Sequence, residues 1–237
     1  MKLGILTALN TERAARRAAI VVSNIGTGEQ RLVKAAEISQ DPLKAILAER
    51  LRSGKSGMAE SAEGRVFLTV HVPAAQLVAI GAVHISQALA PIAKLLGYDV
   101  TIVDPRTAFA SPERFPDVKV IAEWPDKALP ALSIDRYTAF VALTHDPKVD
   151  DPALTYALAR DCFYIGALGS RKTHGRRIER LKQQGVGDAG LSRIHAPIGL
   201  NIGAVSPAEI AVAIMAQITE SLHREPQANE RPLEAVS

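Results

Sequence analysis

One cysteine, Cys162, in a chain of 237 residues excludes an intramolecular disulfide and any cysteine-based metal cluster. Aromatic residues are scarce at 4%, and no RNP-type motif, zinc-finger spacing or long Lys/Arg run accompanies them, which argues against nucleic acid as a partner. Charge of one sign is also missing: 28 basic and 25 acidic residues leave a net +3, so the surface carries no strong field. No apolar run approaches the roughly 20 residues of a membrane span. The opening MKLGILTALNTERAARRA has neither the apolar core nor the cleavage site of a signal peptide, so a cytoplasmic protein is expected. What is present is an ordinary globular composition, 47% apolar and 22% charged, sufficient for one large or two modest domains.

Residues 1–74 read as a small α/β unit: a helix to Ala18, a strand AAIVVSNI, a helix from Asp41-Pro42 and a strand RVFLTVHV. The Gly/Ser-containing segment RSGKSGMAESAEG between the last two is expected to be mobile. Over 75–224 strands and helices alternate, which predicts a doubly wound, mainly parallel sheet of Rossmann type. The strands are LVAIG, DVTIVD, KVIAE, TAFVALT and CFYIGAL, with Ile85, Leu89, Ile92 and Leu96 marking the buried face of the first helix. Helices are expected to start near Pro125 and Asp151. A further one follows Ser206, where Pro207 and Glu209 complete a capping box and Ile210, Ile214, Ile218 and Leu222 form one apolar face. Residues 225–237 read as a flexible tail.

The run CFYIGALGSRKTH, 162–174, carries the most chemical information. A buried-strand pattern ends at Gly166 and Gly169, Ser170 is placed to cap a helix, and Arg171, Lys172, Arg176 and Arg177 follow. Cations at a helix start oppose its dipole, at about 0.3–1 kcal/mol each. Either an anion such as phosphate or carboxylate offsets that cost by binding the free helix amides, or water solvates a basic helix start.

Further candidates lie where other strands end. Gly81 and His84 occupy the strand-to-helix turn where a dinucleotide fold places its glycine fingerprint, but Val83 stands where the second glycine would admit a pyrophosphate. Asp104 is suited to ribose hydroxyls and Arg106 to phosphate; the alternative is an Asp that satisfies turn amides before Pro105. His145 either handles a proton or oxyanion, oriented by Asp146, or is a loop residue. Asp150 and Asp151 suggest a metal less well than a helix cap at Asp151-Pro152. In HAPIGLNIGA, His195 and Asn201 either share the cleft of Ser170 and Arg171 or belong to a packed loop. Cys162, inside an apolar strand, reads as an inert core thiol.

Together, LVAIGAVHISQALAPIAKLLGYDVTIVDPR, ALTHDPKVDDPAL, FYIGALGSRKTHGRRIERL and IHAPIGLNIGA resemble the Rossmann-type domain of the xanthine dehydrogenase accessory family, the XdhC/CoxI group, over residues 76–222. The resemblance implies a carrier or insertion chaperone for the molybdenum cofactor (molybdopterin), serving a molybdenum hydroxylase of the xanthine dehydrogenase or carbon monoxide dehydrogenase type. On the leading reading of the residues, Gly169, Ser170 and Arg171 hold an anion, Gly81, His84, Asp104 and Arg106 line the adjoining cleft, and His145, Asp146 and Asn201 are second-rank candidates. Sulfur chemistry would belong to a separate cysteine desulfurase. Residues 1–74 lack the GSxSGGCxE-type motif of larger members, consistent with a shortened paralogue. The competing readings are an NAD(P)-dependent oxidoreductase and a non-catalytic scaffold. The small N-terminal unit, with little core of its own, leads to the expectation of a homodimer.

Overall fold

The computed structural model describes residues 2–62 and 64–223 and divides after Pro73 into two units, each taken by itself below. The tail expected over 225–237 lies outside the described residues. Among the described residues no helix is long and apolar enough to cross a membrane.

In the first unit, α1 (Leu3–Ala14) precedes β1 (Ala19–Asn24) and β2 (Gln30–Lys34); a 3-10 turn then leads to α2 (Lys44–Ser53), β3 (Gly57–Ser61) and β4 (Gly64–His71). The strands form one antiparallel sheet in the order β2-β1-β4-β3. Because side chains alternate along a strand, β1 buries both faces. Ile20 and Val22 pack with Leu47 of α2 and Leu68 of β4, and Ala19 and Val21 pack with Leu9 of α1. Residues 57–61 correct the expectation of a mobile segment: they pair with β4 in the register Met58↔Phe67 and Glu60↔Arg65. An edge strand needs burial on one face only, so GMAES carries no apolar run, and QRLVK of β2 is inconspicuous for the same reason.

The second unit contains β5 (Gln76–Ile80), α3 (His84–Leu95), β6 (Asp99–Val103), β7 (Lys119–Ile121), α4 (Pro125–Ala128), β8 (Thr138–Ala142), α5 (Pro147–Leu158), β9 (Tyr164–Ala167), α6 (Arg171–Gln183), α7 (Asp188–Leu191), β10 (Ile194–His195) and α8 (Pro207–His223). All strand pairs are parallel, in the order β10-β9-β8-β5-β6-β7. This is the doubly wound Rossmann order, reversing direction between β5 and β8. Alternation again sorts the core. Leu77, Ala79 and Val141 face Leu89 of α3 and Ile214 and Ile218 of α8, whereas Val78, Ile80 and Phe140 face Leu154 of α5 and Leu181 of α6.

Two helix expectations need correction. On α3 the buried residues are Ser86, Leu89, Ala90 and Ala93, and Leu96 falls at the C-cap and is 53% exposed. The apolar spacing runs one residue past the point where the helix stops. For α5, the chain offers Asp-Pro twice, and the cap is the earlier one, Asp146 before Pro147, rather than Asp151 before Pro152. Asp150 and Asp151 therefore lie buried inside the helix. The capping box before α8 forms as read: Glu209 N donates to Ser206 Oγ at 3.3 Å and Ser206 N to Glu209 Oε2 at 2.8 Å.

Leu89→Ala, which removes a side chain with 0% exposure, should destabilise the protein by about 2–5 kcal/mol. Leu96→Ala should cost less than about 0.5 kcal/mol. Urea denaturation of both variants checks the phase of α3.

Candidate functional site

The carboxyl ends of the parallel strands carry all the candidate residues, but in two groups with different chemistry. After β5, Gly81 has φ 111°, and a Cβ there would stand 2.9 Å from Thr144 Cγ2 and 3.3 Å from Thr144 N. Glycine is thus demanded by contact with the turn after β8. Ser86 caps the Gly81 carbonyl with its hydroxyl, and His84 opens α3 with its side chain exposed.

Asp104, at the end of β6, is 0% exposed and already saturated. Its Oδ2 accepts from Ala82 N at 2.7 Å and Arg106 Nη2 at 2.7 Å; its Oδ1 accepts from Arg106 N and Arg106 Nε, both at 2.9 Å. Burial alone would raise this carboxyl's pKa. The Arg106 hydrogen bonds, the Arg106 and Ala82 amides and the Arg106 charge outweigh it and hold the pKa below its ordinary value. Arg106 in turn lies over the Phe109 ring, 4.7 Å from its centroid. Arg114, not singled out from sequence, donates to the Ala82 and Phe109 carbonyls at 3.0 and 2.9 Å. Both Asp104 and the Arg106 fork, expected to meet a ligand, are committed to each other and to the turn.

The turn after β8 is organised by Asp150. Its Oδ1 accepts from Thr144 Oγ1 at 2.7 Å and from Thr144 N at 3.3 Å, and its Oδ2 accepts from His145 N at 3.1 Å. Burial nevertheless raises the Asp150 pKa, with the Thr144 and His145 donors and the Arg177 charge acting against it. His145 takes φ 63°, rare outside glycine, and is exposed. Asp146 does not orient it. Its Oδ1 instead accepts from Lys148 N at 2.9 Å as the cap of α5.

After β9, Gly169 has φ 133°, and a Cβ there would come within 3.0 Å of Thr173 Cγ2. Ser170 caps α6 by accepting from Thr173 N at 3.2 Å. Arg171 and Lys172 are exposed, while Arg177, one to two turns on, is 2% exposed and donates to the Leu168 carbonyl at 2.7 Å. Facing this helix start is the loop 196–204. Gln217 of α8 pins it, accepting from Gly199 N at 2.8 Å and from the Tyr164 hydroxyl at 2.6 Å; His195 stacks on Tyr164 with centroids 4.7 Å apart. Gln217 was missed from sequence, although a glutamine between Ile214 and Ile218 on an apolar helix face is a legible signal.

Between loop and helix start opens a cleft of about 550 Å³, in the usual range for small-molecule sites. It brings together His145, Gly169, Ser170, Arg171 and Asn201 between apolar walls that include Ile198 and Ile210. Gly81, His84, Asp104, Arg106 and Asp146 do not line it. Cys162 is buried elsewhere, its thiol pushed up by burial to about 11. Among the described residues no group of three or more His, Cys, Asp or Glu could hold a metal ion.

Asp104→Asn should cost about 2 kcal/mol at neutral pH, less than a fully enclosed pair because the Arg106 side chain is 41% exposed. A depressed carboxyl pKa adds stability above the unfolded value of about 4, and that stability is lost as pH falls through the folded value. The difference between wild type and variant should therefore shrink below about pH 4 in urea denaturation curves.

A family model described as the XdhC Rossmann domain matches residues 77–218. Among curated proteins the chain is 31% identical over 214 residues to the uncharacterized protein YqeB of Escherichia coli (strain K12), covering 87% of this chain and 39% of that one. It is 31% identical to a protein of Bacillus subtilis (strain 168) named as a probable xanthine dehydrogenase subunit, covering 64% of this chain and 44% of the relative. It is 30% identical to the molybdenum cofactor insertion chaperone PaoD of Escherichia coli (strain K12), covering 65% and 42%. The chain spans less than half the length of these relatives. A solved structure from Bacillus halodurans, described as a xanthine dehydrogenase, shares the fold with a TM-score of 0.68 at 23% identity, covering 92% of this chain and 66% of that one. With more than half of its length matched by the family model, and with the strand order and helix starts described above, this chain belongs to the XdhC Rossmann domain family.

Proposed function

We propose that this chain binds the molybdenum cofactor through its phosphorylated pterin and serves the maturation of a molybdenum hydroxylase. The observation that carries the reading is the cleft at the start of α6. A glycine at φ 133° with the Thr173 side chain close against it, a helix whose first amides have no carbonyl partner within it, and Arg171 meet in one cavity with apolar walls. In this reading Ser170 and the α6 amides receive the phosphate and Arg171 neutralises it. Asn201 and the loop 196–204 accommodate the ring, and His145 closes the far side. These residues fit the organic part of the cofactor, and its molybdenum centre supplies the chemistry only in the target enzyme. The name of one Escherichia coli relative, the molybdenum cofactor insertion chaperone PaoD, supports a role in supply rather than turnover. Sulfur would come from a separate donor such as a cysteine desulfurase, because the buried Cys162 thiol is a poor relay.

The strand order would also suit NAD(P), but the carboxylate that a ribose would need is taken by Ala82 and Arg106. The purified protein should carry pterin, detected by mass spectrometry and by fluorescence after oxidation; stoichiometric NAD(P) would favour the oxidoreductase instead. Arg171→Ala should weaken binding of the phosphorylated pterin by about 1.5–3 kcal/mol while leaving apo stability level or slightly higher, since it removes a cation from a helix start. Calorimetry and melting of apo and loaded protein separate the two effects, and wild-type affinity in the variant would remove the phosphate from residues 169–171. Deleting the gene should lower the activity and cofactor occupancy of a molybdenum hydroxylase without lowering its polypeptide level. Sedimentation at micromolar concentration tests the homodimer, which a monomer mass would rule out.

A further inference from the structure

A second, smaller cavity of about 160 Å³ lies between α5 and α6. Thr173, Arg176, Arg177 and Arg180, on one face of α6 by their helical spacing, form one side of it, and His145, Asp150 and Asp151 contribute to the other. Arg177 is the unusual member. It is 2% exposed, Nη2 reaches the Leu168 carbonyl, and the Nε and Nη1 donors are buried with no hydrogen-bond partner. A buried guanidinium with donors left over is costly unless an acceptor answers it. The carboxylates whose charge it feels are engaged elsewhere: Asp151 is held by both Nε and Nη2 of Arg180, and Asp150 by Thr144 and His145. With Asp151 neutralised by Arg180, the cavity keeps two guanidinium groups, Arg176 and Arg177, against the single carboxyl of Asp150.

We infer that this cavity is a binding site for a small tetrahedral oxyanion of the phosphate or sulfate class, seated on the unpaired donors of Arg177 with Arg176 and Thr173 beside it. The space exceeds what one water occupies, about 30 Å³, and suits such an ion. His145 borders this cavity and the larger cleft alike, so the oxyanion is either a free ion or the terminal phosphate of a molecule lying in the cleft. The site stands on Arg177 and does not require that the cleft hold a pterin.

Calorimetric titration of the full chain with inorganic phosphate at low ionic strength tests it. The wild-type protein should bind, and Arg177→Lys, which loses the fork of donors, should weaken binding at least about 10-fold. Arg176→Ala, an exposed position that keeps the test valid should the buried variant fail to fold, should weaken it about 3-fold or more. Displacement of the phosphate by a nucleoside diphosphate would identify its source as a cleft ligand, and simultaneous binding would identify a free ion; either supports the site. No binding of phosphate or sulfate by the wild type, leaving water as the filling, would overturn the inference. So would wild-type affinity in Arg176→Ala, or phosphate binding that depends on Arg171 and not on Arg177.

Discussion

Where a parallel strand ends, its last amides lose their ladder partners and must be answered by something other than water if the turn is to be buried. At the end of β8 the answer is the Asp150 carboxylate, which takes the Thr144 amide and hydroxyl and the His145 amide at once. The cost of keeping a carboxyl at 1% exposure is visible in its raised pKa, and three donors offset it. Much of the site depends on this knot. It holds Thr144 where Gly81 packs against it, sets His145 in its left-handed backbone between two cavities, and ties the start of α5 to the sheet.

A second buried carboxylate, Asp104, does the same for β5 and β6, but the two leave different side chains available. Asp104 draws in the Ala82 amide and the Nε and Nη2 donors of Arg106, so the carboxylate at the end of β6 is occupied by its own ion pair. Asp150 leaves side chains free: His145 remains exposed, and beyond it the β9 and β10 ends open into the cleft.

The far wall of that cleft has no strand or helix of its own. Loop 196–204 is shaped by Gln217, whose one side-chain oxygen joins Gly199 to Tyr164, and by Leu200 N bonding to the Ala213 carbonyl at 3.1 Å. Gly199, with φ 88° and its Cα against the α8 backbone, allows the approach. The loop is therefore fastened to α8 and, through Gln217, linked to Tyr164 of β9.

Features that arise within a few residues were legible before folding. Continuous apolar runs in LVAIG, TAFVALT and CFYIGAL specified strands covered on both faces, SPAE specified the start of α8, and Gly169-Ser170 specified the start of α6. Those signals survive because a strand's pleat and a helix cap are local geometry. Which polar groups stay available was settled by packing across the chain. From one basic run, helical phase and the α5 face turned Arg177 inward and left Arg171 outside. Of two Asp-Pro steps the earlier became the cap, because Asp150 and Asp151 were drawn to Thr144, His145 and Arg180. Asp104 met an amide 22 residues away and Gln217 a hydroxyl 53 residues away. Whether a carboxylate or guanidinium is free for a ligand depends on partners that only the folded chain brings within hydrogen-bonding distance, and no local pattern encodes them.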